Sequence, residues 1–408
     1  MKKLSFLKNL SPEVLTIINL FAIQGIFYFA WAFTNYYNVY LQQNGFSASM
    51  LGNLNAINST VAIFAMMFFG MLSDKINSVK KVVILTSVVL ALLYFLIPFL
   101  PTQTADSVLI FFIFYPIVNI FRASAPILLD NLTVRTCAMK RLNYGFIRSS
   151  GSFFFAIGAL ISVVGITSFG IKSSFFGFSI FLIPSLFLIF RAFDPKVVHE
   201  HHHEKKKTSF APLLKNYYYI TFLVVMAIVQ FAVNAELNFF SFFMESVGVS
   251  SDMFSSILAT RAIMEIPCLL FMVKLRKRMK LKYLIMISCC LMGLQCLLLG
   301  LFATNLTEII LCATVYGMGN GIFIGTVAMY LYKLAPDNLK ASSQTIYAAV
   351  TSIAGIGGNL VGGFLFDSVG GRTFFIIVAF IFISGSVVFA VTSKLRKNLV
   401  NPADELEK

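Results

Sequence analysis

Charge is what this sequence has least of. Only 12% of its residues are charged, where a soluble globular domain carries roughly 25%. With 58% hydrophobic residues and a mean hydropathy of +0.84, that deficit argues against a soluble chain and points to a membrane protein. Acids are scarcer than bases, 17 Asp and Glu against 32 Lys and Arg, for a formal net charge of +15. Cysteine is limited to Cys137, Cys268, Cys289, Cys290, Cys296 and Cys312. All six lie in or beside apolar runs, with neither metal-ligand spacing nor an extracellular disulfide framework. No nucleophile–base set, metal site or phosphate loop is evident, so the expectation is a non-enzyme without a cofactor. The opening "MKKLSFLKNLSPEV" is basic. The apolar run behind it is too long for a signal-peptide core and has no small-residue cleavage site, so it reads as a first membrane helix that stays.

What the sequence has in abundance is long apolar runs. A helix needs about 20 apolar residues to cross the hydrocarbon core. Twelve such stretches are predicted, at 15–41, 48–72, 80–100, 107–133, 143–166 and 173–193, then 216–243, 252–273, 283–303, 306–334, 342–366 and 373–393. The longest polar segment, "RAFDPKVVHEHHHEKKKTSFAPLLKN", falls between the sixth and the seventh. The expected fold is therefore an all-α membrane protein of two six-helix bundles, residues 1–193 and 216–408, joined by a linker at 194–215. "YPIVN" (115–119) and "YGMGN" (316–320) occupy matching places in predicted spans 4 and 10, a trace of duplication.

Basic residues set the orientation. With the N-terminus inside, cytoplasmic segments hold 27 of the 32 Lys and Arg, and outer loops hold only Lys172 and Arg372. The positive charge is thus a topology signal: both termini face the cytoplasm, and no nucleic-acid partner is needed to account for it. Arg122, Arg148 and Arg261 remain inside predicted spans, together with the acids Asp130, Glu236 and Glu265. Each would cost roughly 2.5–3.5 kcal/mol at the centre of a lipid-facing helix, so they are expected to face the protein interior or a water-filled cavity. Arg261 and Glu265 are four residues apart and share one helix face.

Two polar stripes run along predicted spans. Gln230, Asn234, Asn238, Ser241 and Glu245 recur every three or four residues on span 7, and Gln24, Tyr28, Trp31, Asn35 and Asn38 do so on span 1. Such amides suit neutral polyhydroxylated or heterocyclic ligands, and Tyr28 and Trp31 would offer ring faces for stacking. Interhelical hydrogen bonding is the competing account of both stripes. Glu236 lies off its stripe and is expected to contact a different neighbour. "HEHHHE" (199–204) reads as a solvated cytoplasmic linker, not a metal site.

The six-plus-six plan with a basic central loop resembles the major facilitator superfamily. "GMLSDKINSVKK" (70–81) is similar to its loop 2–3 signature through Gly70, Asp74, Lys80 and Lys81, with Asn77 where the pattern has a later Gly. "GGFLFDSVGGR" (362–372) looks like an outer-side version. "YGFIRSSGSFFFAIGA" (144–159) resembles the start of helix 5 in the lactose permease, nucleoside:proton symporter and phenylpropionate-permease-like groups, with Arg148 on their functional arginine. The likeness to lactose permease implies that Asp130 pairs with Arg148 across spans 4 and 5, one residue off that protein's register. "MEIPCLLF" (264–271) resembles helix 8 of the latter two groups, with Glu265 on their coupling glutamate. Span 10 has neither the His nor the Glu of lactose permease, and span 5 lacks the proline of drug exporters.

The resemblance implies a monomeric secondary transporter of a bacterial-type plasma membrane. It would import a small polar organic solute with protons by alternating access. Sugars, oligosaccharides or nucleosides head the solute classes. An aromatic carboxylate held by Arg148, Arg122 or Arg261, or proton-antiport export, are the alternatives, and a non-transporting sensor is the rival from another class. Proton coupling is expected at Glu265, Arg148, Asp130, Arg261 and Glu236. Substrate is expected at Tyr28, Trp31, Asn119, Arg122, Arg148, Gln230, Asn234 and Glu265. Gating is expected at Gly70, Asp74, Lys80 and Lys81, with Asp74 pairing to basic residues or a helix N-terminus in the neighbouring half.

Overall fold

A computed structural model describes residues 12–102, 107–195, 211–336 and 339–395. The "HEHHHE" segment and most of the expected linker lie outside the described residues. Among those residues the regular structure is helical throughout. The long helices are α1 (Pro12–Trp31, continued by Ala32–Tyr36 and Tyr37–Gln43), α2 (Ala48–Lys75), α3 (Val79–Leu96), α4 (Ser107–Lys140), α5 (Tyr144–Phe169) and α6 (Lys172–Arg191). They continue as α7 (Tyr217–Ser246), α8 (Phe254–Arg278), α9 (Leu281–Phe302), α10 (Leu306–Leu334), α11 (Lys340–Val369) and α12 (Gly371–Leu395).

Among the described residues, eleven helices are long and apolar enough to cross a membrane by length and composition. The expected span at 252–273 is not one of the eleven. Its helix, α8, has 25 residues, enough to span. Arg261 and Glu265 lie in its middle, and Lys274, Arg276, Lys277 and Arg278 lie at its end.

Local sequence sets where the helices start and stop. Ser78, Asn143, Asn216 and Asn305 cap α3, α5, α7 and α10, each accepting a backbone N–H of the first turn on its side-chain oxygen. Gly170 and Gly370 end α5 and α11 with φ of 78° and 77°, a left-handed stop that favours glycine. Pro116 and Pro126 sit inside α4, Pro184 inside α6 and Pro267 inside α8, as membrane helices tolerate where neighbours satisfy the freed carbonyls.

The chain forms two compact units, Met1–Asn44 with Thr60–His201, and Gly45–Ser59 with His202–Lys408. In the first, α1 packs on α5 and α6, and α3 packs on α4 and α6. In the second, α7 packs on α11 and α12, α9 packs on α10 and α12, and α8 packs on α10. The pairings of the first unit thus recur in the second, six helices on, as a duplicated chain would give. Within the second unit the first turns of α2 lie on α11. A Cβ at Gly52 would strike the Asn359 carbonyl, and one at Gly363 the Ala48 carbonyl. The Asp367 carboxylate accepts the N–H groups of Ala48 at 3.2 Å and Ser49 at 2.8 Å, at a helix N-terminus whose dipole favours an anion.

The cores are aromatic, with Tyr36, Tyr94, Tyr115 and Phe178 fully buried in the first unit and Tyr219, Phe222, Phe239 and Tyr330 in the second. Many large apolar side chains point outward, among them Phe64, Met71, Phe169 and Phe364. A surface this apolar suits hydrocarbon and would be a liability in water.

Candidate functional site

Each unit holds its own set of charged and amide side chains. In the first, α1 brings Gln24 and Tyr28 to Asp130 of α4 and Arg148 of α5. Gln24 Nε2 donates to Asp130 Oδ1 at 3.1 Å and to Thr133 Oγ1 at 2.8 Å. Tyr28 Oη donates to Asp130 Oδ2 at 3.4 Å. Arg148 Nε lies 3.2 Å from Asp130 Oδ1, and its guanidinium covers the Tyr28 ring at 4.3 Å from the centroid. The Asp130–Arg148 pair expected across spans 4 and 5 is present. The small Gly151 makes room for it, since a Cβ there would lie 2.8 Å from both Arg148 Nη1 and Tyr28 Cδ2.

Arg122 sits two turns before Asp130 on α4. Its guanidinium lies 5.5 Å from the Trp31 ring centroid, and Trp31 also carries Phe27 stacked at 5.6 Å. The rings expected as open stacking platforms are therefore already engaged, Tyr28 by Arg148 and Trp31 by Arg122 and Phe27. Arginine prefers an aromatic face to lipid, because the ring quadrupole attracts the cation once both are out of water. Asn119 is half-buried one turn before Arg122.

In the second unit, Arg261 of α8 does not pair with Glu265 on its own helix. It reaches Glu236 of α7 through both terminal guanidinium nitrogens, Nη1 donating to Oε2 at 3.1 Å and Nη2 to Oε1. Glu236 is fully buried and Arg261 nearly so. The Phe240 and Tyr316 rings lie 4.7 and 4.1 Å from the guanidinium. A bidentate fork between planar partners is the strongest arrangement open to these two groups, and it wins over the same-helix neighbour. Glu236, expected to contact a different neighbour from its stripe, does so here.

Glu265 is left to a neutral donor. Asn320 Nδ2 of α10 donates to its Oε1 at 2.6 Å. The contact depends on α8 and α10 approaching closely. A Cβ at Gly317 would meet the Arg261 backbone and Met264, and one at Gly321 would lie 2.9 Å from both the Glu265 carbonyl and Cys268 Cβ. Small residues are what allow two membrane helices to pack this tightly.

The α7 stripe is largely consumed by packing. Asn234 Nδ2 donates to the Gln230 carbonyl and Asn238 Nδ2 to the Asn234 carbonyl, each at 3.0 Å. Asn238 Nδ2 also reaches Asn359 Oδ1 at 2.7 Å, and Asn359 Nδ2 reaches Ser59 Oγ at 3.2 Å. Glu245 accepts from Ser251 Oγ at 2.6 Å.

In the loop after α2, Asp74 pairs with Arg135 of α4, within its own unit, at 3.5 Å. Lys80 Nζ donates to the Ala192 carbonyl at 2.8 Å. Lys81 contributes its backbone N–H, which Ser78 Oγ accepts at 3.2 Å. A Cβ at Gly70 would meet nothing within 4 Å. Asn77 has φ of 51°, which explains the departure from the signature: the turn needs a left-handed residue, and Asn is the side chain that tolerates it best after Gly.

Sequence reasoning missed Asn320, Tyr316, Asn359, Asp367 and Arg135. The matching "YPIVN" and "YGMGN" stretches were the available signal for Tyr316 and Asn320. The partners on α11 carried none.

The family model described as the MFS_1 like family matches residues 20–377. The chain belongs to that family of the major facilitator superfamily. It is a multi-pass membrane transporter of the major facilitator type. Among relatives of this major facilitator protein is the "Uncharacterized transporter YwbF" of Bacillus subtilis (strain 168), 26% identical over 394 residues, which cover 92% of this chain and 94% of that one. Sucrose permease of Escherichia coli is 26% identical over 144 residues, 34% of either chain. Among solved structures, the nucleoside transporter NupG superposes with a TM-score of 0.76 at 17% identity, covering 94% of this chain and 100% of that one. A D-xylose-proton symporter gives 0.70 at 14%, covering 96% and 100%. These two likenesses are of fold.

Proposed function

We propose that this protein is a proton-coupled symporter that imports a small polar organic solute by alternating access. On this reading it spans the plasma membrane twelve times as a monomer, with both termini in the cytoplasm, where the basic loops belong. One observation carries the coupling. Glu265 has a neutral donor, Asn320, and no described cation within ion-pair distance. It can therefore exchange a proton without breaking an ion pair, whereas Asp130 and Glu236 would have to give up Arg148 and Arg261. Those two pairs then act as fixed elements that orient the helices on either side. Asp74 and Arg135, with Lys80 on the Ala192 carbonyl, brace the ends of α2, α3, α4 and α6 and are the proposed gating contacts.

Sugars or oligosaccharides and nucleosides are the leading solute classes, supported by the likeness to a sucrose permease, a nucleoside transporter and a xylose symporter. A carboxylate-bearing solute is a second reading, favoured by the isolation of Arg122. The test is external alkalinisation by lightly buffered, de-energised cells as solutes of each class are added. A solute that alkalinises the medium in the wild type and not in E265Q supports symport. Uphill uptake by E265Q equal to wild type would sink the assignment of Glu265, and acid-driven efflux without uptake would indicate export.

A further inference from the structure

Arg122, Arg148 and Arg261 all lie in the interior of long apolar helices, and all three rest on aromatic rings. Arg148 and Arg261 each have a carboxylate partner. Arg122 has none among the described residues. Its Nε is buried without a hydrogen-bond partner. The buried Tyr94 hydroxyl lies beside it, within reach of its guanidinium and of Thr34. The Tyr115 hydroxyl, within range of the Arg122 charge, has no hydrogen-bond partner. Pro126, four residues on within α4, has no N–H to offer the Arg122 carbonyl. A fixed cation without a carboxylate partner, with two tyrosine hydroxyls in its surroundings, thus lies beside the half-buried Trp31.

A guanidinium cannot shed its proton to escape this setting. A cation on an aromatic face is attracted to it but keeps its full charge, so a counter-anion must come from elsewhere. The planar fork of arginine matches a carboxylate in a bidentate fashion. A single positive charge balances a monoanion. A phosphate monoester would bring close to two negative charges and leave one uncompensated.

We propose that Arg122, with Tyr94 and Trp31 beside it, anchors a carboxylate on the transported solute. The cargo is then an organic monoanion, such as a sugar acid, a nucleoside-like acid or an aromatic carboxylate. This rests on the transport reading above and narrows its solute class.

The protein has one tryptophan, so tryptophan emission of the purified full-length chain reports on this site. The probes are matched pairs: glucuronate and methyl glucoside, uridine 5′-carboxylate and uridine, 3-phenylpropionate and 3-phenylpropanol. One acid is expected to shift the emission saturably while its neutral partner does not. R122Q should weaken that acid by about tenfold or more, and R122K, which keeps the charge, should retain part of the affinity. The proposal is overturned if neutral members titrate as well as acids, if R122Q binds the acid as wild type does, or if no acid gives a saturable change. Uptake of the same pairs into proteoliposomes separates the two readings. Gradient-driven uptake of a neutral member alone keeps the transporter and removes the anchor. Acid binding lost in R122Q, with no flux under either gradient, keeps the anchor and removes the transporter.

Discussion

Arg261 is paired with Glu236 of a neighbouring helix, 25 positions away in sequence, and not with Glu265 one turn along its own helix. The choice divides the acids of the second unit into one that is locked and one that is available. Breaking a buried pair by removing one partner costs roughly 3–5 kcal/mol, because the other charge stays behind unpaired. R261Q or E236Q should therefore lower thermal stability in detergent by an amount of that order. The R261M/E236L double variant should recover much of it. Equal losses in single and double variants would mean that the pair is not the source of the effect.

Glu265 predicts a different phenotype. E265Q keeps the acceptor carbonyl for Asn320, so the fold should melt within about 1 kcal/mol of wild type. Proton-driven accumulation should be abolished while solute exchange across the membrane can persist. N320A should weaken the same coupling more mildly, as a partial loss of accumulation.

Gly321 and Gly70 should behave oppositely. A larger residue at Gly321 would push α8 from α10 and separate Asn320 from Glu265. G321V should lose stability by about 1–3 kcal/mol and lose coupled uptake with it. At Gly70 an added methyl meets open space. G70A should therefore be neutral or gain about 0.5–1 kcal/mol from helix propensity. Normal stability with lost transport in G70A would show that Gly70 is needed in another conformation.

Asp74 and Arg135 are both partly exposed, and such pairs contribute about 0–1 kcal/mol. D74N should barely change the melting temperature. If the pair gates transport, D74N should still reduce the uptake rate, and R135K should restore part of it relative to R135Q. Unchanged uptake in D74N would remove the pair from the gate.

Much of this was legible in the sequence. Apolar runs, caps and positive φ glycines are local, so α1 to α12 lie close to the predicted stretches. Asp130 and Arg148 could be matched because the resemblance to lactose permease implies an acid and an arginine paired across the same two helices. The pairing of Arg261 was not legible. Helical spacing made Glu265 a valid partner, and only the three-dimensional fold brings Glu236 of α7 within reach of Arg261. Tyr28 and Trp31 illustrate the same limit. Ring chemistry suits a sugar and an arginine equally, and the three-dimensional neighbour decides between them. The amides of α7 looked like ligand groups until α11 supplied Asn359.

The bond from Gln24 to Asp130 has a consequence for how the chain is made. The two residues are separated by 106 positions, and the second acceptor, Thr133, by 109. When α1 first enters the bilayer, neither acceptor has left the ribosome. The amide must wait, with water or lipid headgroups as its only company, until α4 arrives. This contact of the first unit therefore forms only after α1 has inserted, and its timing is set by the arrival of α4 and not by that of α1.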